Sequence, residues 1–262
     1  MLTYISLGWG VQSWTLAAMV ALGELPPVDA ALHSDTGWER ESTYQFAVTW
    51  TPWLESHGMK VVTVNDHAQS QKVETSKTDI PAFTVGKSAK DGQLRRQCTN
   101  RWKITPMRRW ISQQLQANGI AKKPGIVSQW LGITQDEWHR AKDSDVRYIS
   151  HKYPLLEKGM SRADCLQWLA TNNLPSPDKS ACVFCPYHNQ SAWKRMRAEN
   201  GTDWQTAVTI DTAIRNVRLP HTLYLHSARL SLEDAVIIPE SFGLTQGNLI
   251  PDDQCDSGYC FL

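Results

Sequence analysis

The sequence predicts an α/β fold, a mostly parallel sheet flanked by helices, with a C-terminal helical and cysteine-bearing extension. Three observations predict it. Short apolar runs of strand length alternate with longer runs of helical period through the first half of the chain. A glycine-bearing turn, Leu7-Gly-Trp-Gly10, stands between the first strand and the first helix. In the second half, Ser161-Arg-Ala-Asp164 and Ser231-Leu-Glu-Asp234 have the form of capping boxes that open helices. Strands that alternate with helices pack as a parallel sheet covered on both faces.

In chain order, Leu2 to Ser6 is the first strand and Val11 to Leu22 the first helix. Asp29 to His33 is the second strand, and Lys60 to Val64 the third. Between them, Ser42 to His57 has helical character that Pro52 is expected to interrupt or kink, because proline lacks the N–H of the helical ladder. Asp66 to Gly92 is polar and aperiodic, apart from a strand-like Pro81 to Val85, and is expected to form a mobile lid or a partly disordered loop. Helical character returns from Asn100 to Leu115, and Gly125 to Leu131 is the fourth strand.

A chain of 262 residues that is 41% apolar buries one sizeable core, as one large domain or as a domain with an appendage. The formal charge of +1 supplies no overall field for nucleic acid or an anionic membrane, so polyanion binding would have to be local. The first basic side chain is Arg40, so the apolar run Trp14 to Leu22 lacks the flank of a secretory signal, and it is too short to span a bilayer. The expectation is a cytoplasmic protein without membrane contact. There, six cysteines point to metal binding or thiol chemistry rather than a disulfide framework. The twelve tryptophans are read as packing residues.

A turn between a strand and a helix exposes backbone N–H groups at the positive end of the helix dipole, where phosphate oxygens are favoured. Ser6-Leu-Gly-Trp-Gly-Val-Gln-Ser13 is such a segment, at the edge of an open parallel sheet where ligands gather. The second strand ends in His33-Ser-Asp-Thr-Gly-Trp38, which brings Asp35, Thr36 and Gly37 to the same edge. Asp35 is a candidate to orient a ribose or a hydrated magnesium ion; the alternative is a turn that only caps the next helix.

Asp35-Thr-Gly-Trp-Glu-Arg-Glu-Ser-Thr-Tyr-Gln-Phe46 resembles the Asp-Thr-Gly-aromatic and Thr-Tyr-x-Phe stretch of phosphoadenosine phosphosulfate (PAPS) reductases. The loop Trp9-Gly-Val-Gln-Ser13 is similar to both branches of the superfamily that joins these reductases to the N-type ATP pyrophosphatases, the PP-loop proteins. Gly10 and Ser13 match the pyrophosphatase Ser-Gly-Gly-x-Asp-Ser, with Gln12 in place of its aspartate, whereas Gly10 and Gln12 match the reductase Phe-Gly-x-Gln. Gly132 to Arg140 is similar to the Gly-x-Arg segment, with Thr134 where the first arginine would stand, and Tyr153-Pro-Leu and Asn173-Leu-Pro175 follow the family order.

The resemblance spans about residues 1 to 188. It implies an adenine nucleotide alpha hydrolase-like domain over residues 1–150, followed by a helical region over 151–262. It implies binding of ATP or a related adenine nucleotide, with Mg2+, by Ser6, Gly8, Trp9, Gly10, Val11, Gln12, Ser13, Asp35, Thr36 and Gly37.

Cys182-Val-Phe-Cys185 has the spacing by which two thiolates hold one metal or cluster. Cys98, in Arg95-Arg-Gln-Cys-Thr-Asn-Arg-Trp-Lys103, resembles the cysteine-bearing region of cluster-containing sulfonucleotide reductases. The resemblance implies an iron–sulfur cluster on Cys98, Cys182 and Cys185; zinc, with His188 completing a C-x-x-C-x-x-H spacing, is the second choice. Cys255 and Cys260 in the tail are similar in placement to the reductases' mobile nucleophile and are the catalytic candidates, to deliver or resolve sulfur. Cys165, beside Leu166 and Leu169, is expected to be a buried inert thiol.

Six basic residues fall within fifteen positions, Arg95, Arg96, Arg101, Lys103, Arg108 and Arg109. Either they form a solvated helical face, or they neutralise phosphates of a nucleotide or nucleic acid. By resemblance, Arg101 and Lys103 contact substrate phosphate.

Three functions follow as expectations. The first is ATP-dependent adenylation or sulfur transfer to a nucleoside or nucleic-acid acceptor, with a thiol or sulfur-donor protein as partner. The second is thiol-dependent reduction of a sulfonucleotide. The third is a nucleotide-sensing subunit without turnover.

Overall fold

Along Leu2–Ser6, successive side chains go to opposite faces, Tyr4 to one apolar cluster and Ile5 to another, as a pleated strand requires. This is β1, the middle strand of a five-stranded sheet in the computed structural model, which describes residues 1–86 and 91–237. Its partners are β2 (Ala30–Asp35), β3 (Val61–Asn65), β6 (Val127–Trp130) and β7 (Ile149–Lys152). The order is β3-β2-β1-β6-β7 and every pairing is parallel. The direction of winding reverses between β1 and β6, which places the crevice of this topology beyond their carboxyl ends.

Helices cover both faces. On one side α1 (Val11–Ala21) packs with α2 (Glu41–Ser56), α5 (Pro154–Glu157) and α6 (Arg162–Thr171); Trp14, Leu16, Leu155, Cys165 and Leu169 are fully buried there. On the other, Met107, Ile111 and Leu115 of α4 (Thr105–Ala117) meet Tyr4, Leu32 and Val127. Proline does not break α2. The bond it removes falls on the carbonyl of Val48, an exposed residue whose carbonyl can turn to water.

A second layer joins distant segments. β4 (Phe83–Gly86) lies between β5 (Gly92–Gln93) and β8 (His221–Tyr224), both antiparallel to it. Around this sheet, α7 (Gln190–Glu199), α8 (Thr202–Ala213) and α9 (Leu232–Ile237) share a core with Val73, Ile80, Ala82, Trp102 and Phe184. The packing therefore does not divide at residue 150. Residues 149–171 pack with the parallel sheet, while Val73, Ile80, Ala82 and Trp102 share the core of the C-terminal layer.

The polar stretch expected as a mobile lid is, over its described residues, built structure. It contains α3 (His67–Ser70), a 3-10 turn at Gln71–Glu74 and strands β4 and β5. Three isolated apolar side chains, Val73, Ile80 and Ala82, anchor it, too few to give a period in the sequence. Among the described residues, no helix is long and apolar enough to cross a membrane. Cys255 and Cys260 lie outside the described residues.

Candidate nucleotide and thiol site

The loop after β1 is fixed from within. Trp9 adopts φ 58, and its indole is buried against Trp14, His33 and Phe46 at ring separations of 6.1, 6.5 and 6.1 Å. A bulky residue in the left-handed region costs energy that surrounding contacts must offset, and here the aromatic cluster does so. The side chain expected to bind nucleotide is thus a core residue, as is Val11. Ser13 braces the turn: its Oγ accepts the Gly8 N–H (3.1 Å) and donates to the Gly10 carbonyl (3.2 Å). Buried Ser6 accepts from Gln129 Nε2 at 2.7 Å. Of the loop's side chains, Trp9 and Val11 are thus packed in the core, and Ser6 and Ser13 are hydrogen-bonded within the protein.

What the loop retains is suited to an anion. Gly10 caps α1 without a side-chain hydrogen bond, and the first amide to return to its carbonyl is that of Trp14. The N–H groups of Val11, Gln12 and Ser13 consequently have no acceptor inside the helix. Nε2 of Gln12, a buried residue, has no hydrogen-bond partner among the described residues. A buried donor of this kind asks for an oxygen. Gly132, just past β6, leaves this place clear: a Cβ there would stand 2.8 Å from Ser13 N and 2.9 Å from the Gln12 carbonyl carbon. Access is narrow, since Gly10 is buried and only Gly8 and Ser13 are partly exposed.

At the end of β2, the turn 35–39 is a junction. Asp35 Oδ1 accepts the Gly37 N–H and the Tyr44 hydroxyl, both at 2.8 Å, and Oδ2 lies 3.1 Å from His67 Nε2. Burial works against ionisation of Asp35, but these donors and the nearby His33 outweigh it and hold the carboxyl below its ordinary value. Burial and the Asp35 carboxylate push the Tyr44 hydroxyl far up. The carboxylate expected to orient ribose or magnesium is thus committed within the protein. It also makes the turn-forming contact, to Gly37 at φ 75, that the alternative reading described.

The other side of the junction meets the cysteines. Glu39 and Cys182 form an isolated antiparallel bridge, with Val183 N–H donating to Trp38 O at 2.8 Å. Thr36 Oγ1 stands 3.5 Å from Cys182 Sγ and 3.3 Å from Glu39 Oε1. Glu39 Oε1 also receives Lys103 Nζ at 3.0 Å, and both side chains of that ion pair are buried. Thr36 and Lys103 therefore serve a protein-internal network, whatever else they contact.

Cys98 reaches the same place from a third segment. Its N–H and that of Gln97 donate to Asp79 O, while the Asp79 carboxylate takes Arg101 at 2.7 Å and the Trp102 indole at 3.0 Å. A π-helical turn, Thr99–Ile104, follows directly, a rare form that favours functional sites. Cys98, Cys182 and Cys185 then line one cavity of about 550 Å3, open mouth included, with Arg96, Trp102, Lys103, Phe184 and Tyr187.

The donor set of a metal site is gathered, but its geometry is not. Among the described residues, no three His, Cys, Asp or Glu side chains are placed to hold a metal ion. His188, the expected further zinc ligand, directs Nε2 to the Cys182 carbonyl at 2.9 Å and is buried enough to lower its pKa to about 4. Cys165 is walled off as expected, its thiol pushed up to about 12 by burial.

The expected basic face is largely spent on carboxylates. Arg101 pairs with Asp79, Lys103 with Glu39, Arg108 with Asp145 and Arg109 with Asp66. Arg96 lies over the Tyr187 ring at 5.6 Å, and Arg95 is exposed.

No family model and no curated protein matches the chain. Among solved structures it is similar to a phosphoadenylyl-sulfate (PAPS) reductase from Candida auris, solved as a phosphate complex. The identity is 10% over 68% of this chain and 75% of that one, with a TM-score of 0.43. The α/β class rests on the five parallel strands themselves.

Sequence reasoning did not single out Glu39, Tyr44, His67, Asp79 or Gln129. Glu39 and Tyr44 lie inside the run that carries the resemblance; Tyr44 bonds Asp35 within that run, while the role of Glu39 depends on Lys103, far along the chain.

Proposed function

We propose that this chain is an enzyme that binds an adenine nucleotide at the start of α1 and works on it beside the thiols of Cys98, Cys182 and Cys185. The observation that carries this reading is the contact of Thr36 with Cys182 at 3.5 Å, through which one short turn touches both the sheet's carboxyl edge and the cysteine cavity. A ligand long enough to leave the amides of Val11 to Ser13 along that edge arrives at the cavity.

The chemistry favoured is adenylation. An acceptor oxygen attacks the α-phosphorus of ATP, the bond to the bridging oxygen breaks and pyrophosphate leaves; a sulfur nucleophile then displaces AMP from the acceptor. The loop's amides and the Gln12 side chain would stabilise charge on the phosphates, from positions set before the ligand arrives. No step is assigned to a metal, because among the described residues no three cysteine, histidine or carboxylate side chains are arranged around one.

Pyrophosphate release from ATP, followed with nucleoside and tRNA acceptors under anaerobic conditions, tests the reading. Release that depends on Gln12 and on the cavity cysteines supports it. Sulfite release from PAPS with no turnover of ATP favours the reductase chemistry, and nucleotide binding without any product favours the sensing role.

A further inference from the structure

His67 stands at the carboxyl edge of the sheet, between the end of β3 and the turn after β2, and has no part in the chemistry above. Its Nε2 is 3.1 Å from Asp35 Oδ2, and the edge of its ring lies against Gly37, where a Cβ would come within 3.4 Å of Cδ2. Asp35 is itself fixed by Gly37 N–H and Tyr44, and its carboxyl is held on the ionised side. An ionised carboxylate only accepts, so in the neutral ring the proton sits on Nε2 and Nδ1 carries the lone pair. Among the described residues Nδ1 makes no hydrogen bond, and the side chain is 42% exposed.

In dinucleotide-binding sheets of this doubly wound kind, an acidic residue about 20 positions beyond the glycine-rich turn takes a ribose hydroxyl. Here the acidic residue is Asp35, and its two oxygens already accept three hydrogen bonds. Oδ2 takes only the His67 contact, and a second acceptor at this edge stands one bond further out, on the more exposed imidazole that Asp35 orients. We propose that His67 Nδ1 accepts a ribose hydroxyl of the bound nucleotide and so sets a preference for the intact ribose over an analogue that lacks that hydroxyl. The proposal rests on the nucleotide-binding reading and adds to it a specificity residue.

Two substitutions separate the ring nitrogens. His67→Gln places its amide near Nε2, which keeps the bond to Asp35 and removes the Nδ1 acceptor; His67→Asn places its amide near Nδ1. Calorimetric titration of the wild type and both variants with ATP, 2′-deoxy-ATP and 3′-deoxy-ATP tests the assignment. The wild type should bind one deoxy analogue roughly fivefold to tenfold more weakly than ATP, the loss of about one hydrogen bond. His67→Gln should bind ATP as weakly as that analogue and no longer distinguish the two, while His67→Asn should keep part of the difference. Unchanged discrimination in His67→Gln overturns the proposal and leaves the nucleotide reading intact. An equal loss for all three nucleotides also overturns it, since the ribose is then not what His67 reads. A wild type that binds none of them removes both.

Discussion

Lys103 Nζ lies 3.0 Å from Glu39 Oε1, and this buried ion pair ties the π-helical turn after Cys98 to the turn after β2. Removing one partner of a buried pair typically costs about 3 kcal/mol or more, because the other charge keeps its desolvation penalty. Glu39→Leu is therefore expected to lower unfolding stability by about 3 kcal/mol. The double variant Glu39→Leu/Lys103→Met should recover a large part of it. Urea unfolding of the two proteins measures both; a double variant as unstable as the single one would show that the pair is not the unit.

Gly132, just past β6, packs closely on the nucleotide loop, and a methyl group added to its Cα would stand 2.8 Å from Ser13 N. Gly132→Ala pushes the main chain of the loop at the amides that an anion would use. Overpacking of this kind costs about 1–3 kcal/mol. ATP affinity is expected to fall by at least about tenfold, the equivalent of 1.4 kcal/mol. Melting curves with and without ATP report the two effects separately, and retention of the full ATP-induced shift would place the nucleotide elsewhere.

The C-terminal layer carries a pH dependence of its own. His226 is buried, donates from Nε2 to Gln190 Oε1 at 2.7 Å and accepts the Ala228 N–H on Nδ1 at 3.1 Å. Burial lowers its pKa from 6.5 to about 4. The unfolded chain thus takes up a proton below pH 6.5 that the folded chain refuses until about pH 4. Stability from this group is full above that window and falls as the pH drops through it, by up to about 3 kcal/mol in all. His188 adds a second contribution of the same sign. Denaturant midpoints between pH 7 and pH 4 should show the decline, and His226→Asn, which keeps an acceptor near Nδ1, should flatten it.

How far the sequence foretold this arrangement depends on the range of the interactions. β1, its loop, α1 and the Asp-Thr-Gly turn are local patterns, and they stand where apolar period and glycine position put them. The meeting of Cys98 with Cys182 and Cys185 came from resemblance, not spacing, and the cavity contains all three. What stayed hidden was non-local. β4 pairs with β8 across more than a hundred residues, and four short residues of each carry too little period to announce it. The roles of single side chains also escaped. Trp9 looked like a ligand neighbour and is held in the core, because Trp14, His33 and Phe46 arrive from other elements. Asp35 looked available and is engaged by Gly37, Tyr44 and His67. The basic run read equally as a solvated face or a polyanion site, and Asp66, Asp79 and Asp145 neutralise much of it.

Nucleotide bound at α1 is expected to reach the cysteine cavity across the turn 35–39, and the rest of the proposed chemistry depends on that reach. Alkylation rates of individual cysteines, read by mass spectrometry with and without saturating ATP, test it most directly. ATP should slow modification of Cys182 by at least about tenfold, a 1.4 kcal/mol effect, while Cys165, its thiol raised to about 12, stays unmodified in both states. ATP that binds yet leaves the rate at Cys182 unchanged would contradict it.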